Sequence, residues 1–525
     1  MTLLSTGRPE APPAPPSSAP PAPRPVQWAK VIDQTRCIGC HACTVACKSE
    51  NEVPLGVSRT YVKAVEVGRW PQARRAFQVT RCNQCEDAPC VAACPTRAMY
   101  QRPDGIVDFD KAICIGCKAC MAACPYDAIF INPEDHSAEK CNFCAHRLDV
   151  GLEPACVVVC PTEAILVGDL RDPDSRVAQI VQRQAVAVRR PEKGTRPKLF
   201  YRGAHQATLD PLAARRPAGD TYAWSQVPRG AQLVAAGHPD GRHNSSAAAL
   251  VAYDVGHALP WGWRVSLYTV TKSVAAGAYL VALLLALTGR LPFAGPLVRL
   301  AAPALALGFL GLTGALLIWD LKHPWRFYLI FTRPQWRSWL VRGSFVILGF
   351  SAAVVAQAAA GLLGAHLAER LVPVVGLPLA VLTAIYTAYL FAQARARDLW
   401  QTPLLAPLLA VQAALAGSGA LLIAAAVLAP SEAPPLAAVL AGASGTQLLL
   451  SWAEATVGHP TAHASLAAHE MTHGRYARVW WTGLVLVAAG TAAPWLGWWV
   501  APLALVGLLG QEHAFVQAGQ SVPLA

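Results

Sequence analysis

The chain has 525 residues, 54% of them hydrophobic, with 44 Lys+Arg against 32 Asp+Glu and a formal net charge of +12. That charge is uneven: residues 1–263 hold 30 of the cations and 25 of the anions, and the last 262 residues hold 14 and 7. A single soluble domain is excluded, because a soluble helical bundle needs polar faces at helical period and the second half has almost none.

Residues 1–27 read as a disordered tail, whose proline-rich run PEAPPAPPSSAPPAPRP at 9–25 is too extended and hydrogen-bond-poor to fold. No apolar signal core and no twin-arginine pair stands near Met1.

Sixteen cysteines follow, all between Cys37 and Cys160, in four quartets. These are Cys37-Cys40-Cys43-Cys47, Cys82-Cys85-Cys90-Cys94, Cys114-Cys117-Cys120-Cys124 and Cys141-Cys144-Cys156-Cys160. The first and third have the C-x2-C-x2-C-x3-C run of bacterial ferredoxins, and quartets two, three and four end in Cys-Pro at Pro95, Pro125 and Pro161. Four thiolates serve one cubane, so the count predicts four 4Fe–4S clusters with no thiol left over. Structural zinc uses two separated CxxC-type pairs, and a disulfide framework suits a small secreted domain, so both rivals fit poorly.

Spacing also predicts the pairing. Three close thiols cap three irons of one cube, and the fourth, just ahead of proline, reaches the neighbouring cube. Two sets are then expected from quartets two and three: Cys82, Cys85, Cys90 with Cys124, and Cys114, Cys117, Cys120 with Cys94. Quartets one and four pair around them as Cys37, Cys40, Cys43 with Cys160, and Cys141, Cys144, Cys156 with Cys47. Quartet one has Lys48 in place of proline and quartet four carries the insert Ala145 to Ala155, departures that leave the thiol count intact.

Residues 28–203 are therefore expected to form the cluster domain, ending in a strap with Pro191, Pro197 and Leu199-Phe200-Tyr201. Residues 204–263 read as a linker, mostly loop, and 264–525 as a membrane anchor. Apolar blocks of about twenty residues, the length of one helical crossing, predict eight spans at 265–288, 299–319, 341–363, 373–394, 403–429, 436–457, 477–495 and 497–517. The last two are split by a tight turn near Gly497, and seven is the alternative count. The expected fold is an α+β duplicated ferredoxin-like cluster domain followed by an all-α bundle of eight transmembrane helices.

With eight crossings, the N-terminal side receives Arg264, Lys322, Arg326, Arg333, Arg337, Arg342, Arg395, Arg397, Arg475 and Arg478, and the far side only Arg290, Arg299 and Arg370. The positive-inside rule places the cluster side in the cytoplasm of a bacterial-type inner membrane. Docking of the cluster domain on these same cations is the competing explanation of the bias.

Residues 34–165, with RCIGCHACTVACKSENEVP, RCNQCEDAPCVAACPTRAM, ICIGCKACMAACPYDAI and KCNFCAHRLDVGLEPACVVVCPTEAI, closely resemble the four-cluster iron–sulfur subunit of dimethyl-sulfoxide-reductase-type molybdenum enzymes. Residues 261–517 resemble the polysulfide-reductase (NrfD-like) membrane anchor family, through SLYTVTKSVAAGAYLV, DLKHPWRFYLIFTRPQWRSWLVRGS, YTAYLFAQARARDLW and LLAVQAALAGSGALL. The resemblance implies a fusion of two usually separate subunits, a quinone or quinol partner, and a molybdopterin-containing catalytic subunit on another polypeptide. It also implies that the aromatic–basic loop 320–342 docks the cluster domain and roofs a quinone pocket. At a membrane surface the same loop is not read as a nucleic-acid patch.

Haem b needs histidine pairs inside facing helices; the first five spans have none, so no haem is expected. His366, His323, His459, His463, His469 and His473 read as loop residues. Intramembrane ionisable groups default to function, which marks Lys272, two turns into span one beside Tyr268 and Thr271, with Asp320, Glu454 and Tyr386. Lys272 could instead snorkel, and Asp320 could simply pair with Lys322 or Arg326. The quinone candidates are Tyr268, Lys272, Asp320 and Tyr386. Two rivals stand beside the quinone-linked reading: a redox-driven ion pump, and an electron feeder for a haem nitrite reductase or hydrogenase.

Overall fold

A computed structural model of the protein describes residues 26–68, 71–216 and 249–525. The proline-rich run of the expected tail lies outside the described residues, as does the middle of the expected linker.

The cluster half is built on short strands between cysteine loops. In chain order these are β1 (Trp28–Asp33), β2 (Thr60–Val67), β3 (Arg74–Arg81), β4 (Met99–Gln101), β5 (Val107–Phe109) and β6 (Ile129–Ile131). They continue as β7 (Ala138–Lys140), β8 (Ile165–Asp169), β9 (Val186–Ala187), β10 (Leu199–Arg202) and β11 (Leu250–Tyr253). Quartets two and three are each followed by a Cys-Pro turn and a two-stranded hairpin, β4–β5 and β6–β7, so the same unit occurs twice. β1 is the centre of a sheet in the order β8-β1-β10-β9, antiparallel to β8 and parallel to β10. The strap thus closes on the first strand. β2 and β3, rich in β-branched and aromatic residues, pair along their whole length. Residues expected to be loop supply β11, which pairs antiparallel with β2.

The membrane half contains α1 (Trp263–Leu287), α2 (Ala302–Asp320, preceded by a π-turn at Leu297–Ala301), α3 (Trp339–Leu363), α4 (His366–Gln393) and α5 (Leu405–Leu428). It ends with α6 (Ala433–Thr456), α7 (Ala462–Thr472), α8 (Ala477–Ala489) and α9 (Ala501–Gln520). Seven helical segments among the described residues are long and apolar enough to cross a membrane, against the eight expected. The seventh, Ala477–Gln520, runs 44 residues, about twice the length a 30 Å hydrocarbon core takes. It folds back on itself at Gly497, whose φ is +69°. A Cβ at Gly507 would collide with Val487 N and Gly483 O, so α8 and α9 lie antiparallel, backbone against backbone. The seventh segment therefore has the length and the fold-back of two crossings.

Two local expectations shift. α4 starts at His366 rather than at 373 and carries Pro373 and Pro378 inside it, and His463 and His469 lie on α7 rather than in a loop. Pro373 frees the carbonyl of Glu369, and Gln357 Nε2 of the neighbouring α3 donates to it at 3.4 Å.

Without a hydrophobic drive between helices in lipid, small residues set close approach. At the crossing of α1 and α5, a Cβ on Gly277 would strike Ala413 O, and one on Gly417 would strike the backbone of Gly277 and Ala278. These glycines let α5 lie against the innermost helix, α1.

Candidate electron-transfer path and membrane site

Each quartet wraps its loop in the same way. The third residue of every first CxxC has positive φ: Gly39 (71°), Gln84 (48°), Gly116 (67°) and Phe143 (68°). Such left-handed residues turn successive N–H groups inward, the backbone nest that favours anions and iron–sulfur sites. Another positive φ falls three residues after the last cysteine in the three Cys-Pro quartets, at Arg97, Asp127 and Glu163. Quartet one, which has Lys48 instead, lacks it there and turns at Glu52. Lys48 Nζ donates to Val57 O and, at 2.9 Å, to Pro54 O, which closes that loop by a side chain.

The structure brings the sixteen thiols into four groups. One hollow is walled by Cys94, Cys114, Cys117 and Cys120, and another by Cys37, Cys40, Cys43 and Cys160. Cys90 is in electrostatic range of Cys82, Cys124 and Cys85, and Cys47 of Cys141, Cys156 and Cys144. Among the described residues no three His, Cys, Asp or Glu side chains converge where one metal ion could sit. Thiols spread around a hollow suit the corners of a cube and not a lone zinc, which draws its ligands to about 2.3 Å. The groups follow one another in a line. Cys120 is within electrostatic range of Cys90, Cys82 of Cys141, and Cys43 of Cys156.

Surroundings differ along this line. Cys94, Cys114 and Cys160 accept backbone N–H groups, from Met99 (3.4 Å), Ala138 (3.4 Å) and Ala164 (3.2 Å). Cys156 accepts from Arg81 Nη1 at 3.0 Å and Lys30 Nζ at 3.6 Å. Burial pushes the Cys43 thiol up to about 11 and Cys47 to about 12. Burial raises Cys156 too, but Arg81 and then Lys30 reverse it and hold this thiol at about 7.

One end of the line is seated on the membrane half. The loop after α2 docks on quartet three: His323 N donates to Ile115 O (3.2 Å), and Arg326 Nη1 to Lys111 O (2.9 Å) and Cys114 O (3.0 Å). Ser338 Oγ donates to Ala93 O (2.9 Å) and Gln335 N to Pro95 O (2.9 Å). Lys322 lies so close to Gly116 that any Cβ there would strike it. From the other side Trp261 Nε1 donates to Cys117 O at 3.2 Å, while its ring stacks on Phe391 and Trp400. Ala119, Ala122 and Ala123 share one hydrophobic core with Trp261, Tyr268, Phe391 and Trp400. Trp319, Trp325, Tyr328 and Trp336 of the same region remain exposed, as an interfacial aromatic belt does.

Below this seam lie the four sequence candidates. Lys272 does not snorkel: it is fully buried, donates to Ala384 O (2.6 Å) and Thr387 Oγ1 (2.9 Å), and faces the Tyr386 ring at 5.2 Å. Tyr386 lies across Gly343 of α3, where a Cβ would strike its ring. Tyr268 stands among Tyr386, Thr387, Glu512 and Asp320, and its buried hydroxyl lies beside the hydroxyls of Tyr386 and Thr387. Asp320 sits at the rim and pairs with Lys118 of quartet three at 2.8 Å, not with Lys322 or Arg326. A cavity of about 1250 Å³ opens beside that pair, between Tyr61 and Lys118 on one side and Trp263 and Arg264 on the other.

Sequence reasoning weighs Glu454 and Glu512 only as too few carboxylates for an ion pump, and misses the amides and the contacts behind Lys272. Buried Glu512 of α9 accepts from Gln412 Nε2 at 2.7 Å and is in electrostatic range of Lys272. Next to it Gln511 Oε1 accepts from Gln447 Nε2 (2.8 Å), which also donates to Ser451 (3.3 Å), one turn from Glu454. Polar residues at the core-facing positions of α5, α6 and α9 were the available signal.

Comparison with known proteins fits this anatomy. Family models match a 4Fe-4S binding domain at residues 28–49, a 4Fe-4S dicluster domain at 74–170, and the family described as polysulphide reductase, NrfD, at 254–504. A tetrathionate reductase subunit of Salmonella typhimurium is 46% identical over 193 residues, 36% of this chain and 77% of its own length. A polysulfide reductase polypeptide of Wolinella succinogenes is 42% identical over 177 residues, 33% of this chain and 93% of its own. Protein NrfC of Escherichia coli is 42% identical over 178 residues, 33% and 80% of the two chains. The chain is thus an iron–sulfur electron-transfer protein with a multi-pass membrane domain. It belongs to the iron–sulfur subunits of the tetrathionate, polysulfide and dimethyl sulfoxide reductase type, fused to an NrfD-type membrane anchor.

Proposed function

We propose that this chain moves electrons between the quinone pool and a molybdopterin-containing catalytic subunit through four 4Fe–4S clusters. The four cysteine groups are the ligand sets: Cys94 with Cys114, Cys117 and Cys120 nearest the membrane, then Cys82, Cys85, Cys90 and Cys124, then Cys47, Cys141, Cys144 and Cys156, and finally Cys37, Cys40, Cys43 and Cys160. Bound clusters supply one-electron transfer. The observation that carries this reading is continuity, from the Cys37 group through the line of thiols to the seam where Trp261 holds Cys117 O and packs with Tyr268.

Tyr268, Lys272 and Tyr386 are proposed to hold the quinone head, with Asp320 at the rim, and the buried Tyr268 hydroxyl is the donor a quinone oxygen would accept from. Lys272 and Glu512 are positioned to hand over the protons that accompany quinone chemistry. At the other end Cys40 is exposed, and Ile38, Val45 and Val158 around it are exposed apolar residues, the surface a catalytic partner would cover. The names of the tetrathionate and polysulfide reductase relatives support a partner that reduces a sulfur compound.

We place the cluster domain, residues 28–203, in the cytoplasm, joined through 204–263 to the anchor at 264–525. Arg326 and Arg397 are engaged inside the fold, and the other cations of the cluster side still outnumber those opposite.

The test is purification from native membranes with bound partners, followed by iron, molybdenum and haem analysis and a quinol-oxidation assay. About sixteen irons per chain, a co-purifying molybdenum subunit and quinol-dependent cluster reduction are expected. A haem-bearing partner without molybdenum would favour the second reading, an electron feeder of the kind the NrfC relatives suggest. Quinol-inert clusters would overturn the quinone link.

A further inference from the structure

Arg81 is 2% exposed and Lys30 is fully buried, yet neither pairs with a carboxylate among the described residues. Arg81 directs Nη1 to Cys156 Sγ, and its Nε and Nη2 have no hydrogen-bond partner there. Lys30 reaches the same sulfur and rests on the Phe143 ring at 4.0 Å. A buried cation without a counter-ion is costly, because desolvation is not offset. Two such cations on one thiolate therefore require an anion larger than the thiolate, and a cluster with its four thiolates is one.

We infer that Arg81 and Lys30 set the Cys47, Cys141, Cys144 and Cys156 cluster at the highest reduction potential of the four, making it the electron sink within the wire. The reason is differential: adding an electron makes a cluster more negative, and a fixed cation favours the more negative state, strongly where the dielectric is low. Asn51 Nδ2 adds neutral donors to Cys47 Sγ and Cys144 Sγ, each at 3.7 Å. Among the described residues no other cysteine sulfur accepts a hydrogen bond from a charged side chain; Cys94, Cys114 and Cys160 receive backbone N–H groups instead. Lys140, in electrostatic range of Cys82 and Cys90, spends its donors on Val107 O and Cys141 O rather than on sulfur.

The inference rests on the four-cluster reading, and the experiment separates the two. Arg81→Gln, Arg81→Lys and Lys30→Met are made in the full chain, and each is followed by iron analysis and an EPR-monitored redox titration. In the parent, about sixteen irons are expected; a clearly lower count overturns the four-cluster reading itself. With the iron retained, the largest shift to lower potential in Arg81→Gln should fall on the signal that Lys30→Met also moves, because Cys156 is the one sulfur to which both cations donate. A smaller shift of a second signal is expected in Arg81→Gln, since Arg81 is also in electrostatic range of Cys43 and Cys37. Arg81→Lys should shift the shared signal less. That signal should be the first to be reduced in the parent. Unmoved midpoints at full iron content, or a largest shift that falls on different signals in the two variants, overturn the tuning role. If Arg81→Gln loses iron, Lys30→Met and Arg81→Lys decide by the same criterion.

Discussion

In the cluster domain sixteen side chains of one type occupy sixteen defined places, and the strands between them serve to hold those places. In the membrane bundle chemistry rests on a few polar groups, and most of the sequence is interchangeable apolar surface. There, glycines such as Gly277, Gly417 and Gly343 decide which helix faces which. The first half is specified by residue identity and the second by residue size. A substitution in the first should therefore remove one function cleanly, whereas one in the second should either disrupt the bundle or leave it intact.

The largest effect should come from Cys117→Ala, at the membrane end of the wire. Iron should fall to about twelve per chain, by the loss of one cubane, and exchange with quinol should drop to background while dithionite still reduces the other clusters. Cys40→Ala, at the opposite end, should leave quinol-driven reduction of the remaining clusters and block delivery to the partner. Identical behaviour of the two variants in a quinol-reduction assay would show that the line of thiols does not run from membrane to partner.

Next is Gly417→Leu, which forces a branched side chain into the backbone of Gly277 and Ala278. Overpacking of this kind costs about 3 kcal/mol or more where nothing can yield, and here the obstacle is backbone. The anchor should be recovered in low yield and melt early in detergent, with the cluster domain's iron retained in the protein that survives. Ala416→Gly, beside it, should be tolerated. Wild-type yield and melting for Gly417→Leu would mean that α1 and α5 do not meet as described.

Much of this was legible in sequence because it is local. Cysteine spacing defines the quartets, and twenty-residue apolar runs define the spans. What escaped involves partners far apart in the chain or backbone without a residue signature. Gln84 and Phe143 adopt the left-handed conformation that glycine takes in quartets one and three, and nothing in their side chains announces it. The alternative reading of Asp320, beside its place among the quinone candidates, pairs it within its own loop, yet its partner Lys118 lies two hundred residues upstream. Glu512 reads as one acid near a helix end until α5 brings Gln412 to it. β11 was hidden because a short strand in an Ala- and Ser-rich stretch has no periodicity to show.

Lys272→Leu tests the membrane half at its one fully buried lysine. Quinol exchange should slow roughly a hundredfold, the range in which a positioned proton-transfer group acts, with all clusters assembled. Lys272→Arg keeps the charge but not the fit to Ala384 O and Thr387, and should fall between. Glu512→Gln should slow the reaction less and shift its pH profile. Parent rates in both lysine variants would make Lys272 structural and move the site toward Asp320 and Tyr386.

The smallest effect expected concerns the join between the halves. His257 lies buried between Asp127, at 2.6 Å, and Asp254, at 3.3 Å, against the Tyr61 ring. Arg216 pairs with Asp254 at 2.8 Å, and Lys63 and Arg397 act on the two carboxylates from β2 and from the turn after α4. Burial lowers the imidazole, but Asp254 and Asp127 outweigh it and raise it from 6.5 to about 9. Because the folded value lies above the unfolded one, the stabilisation is fully present below pH 6.5 and is lost as pH rises through 9. Both carboxylates are held below their usual range, so they stay ionised throughout that window. The pairing of β11 with β2 should therefore loosen between neutral and pH 9, seen as faster amide exchange at Val251 beyond the intrinsic pH dependence. His257→Gln should remove that excess and leave β11 loosened at every pH. An excess that persists in His257→Gln would assign it to another group, and no excess in the parent would mean the histidine stays neutral between its two carboxylates.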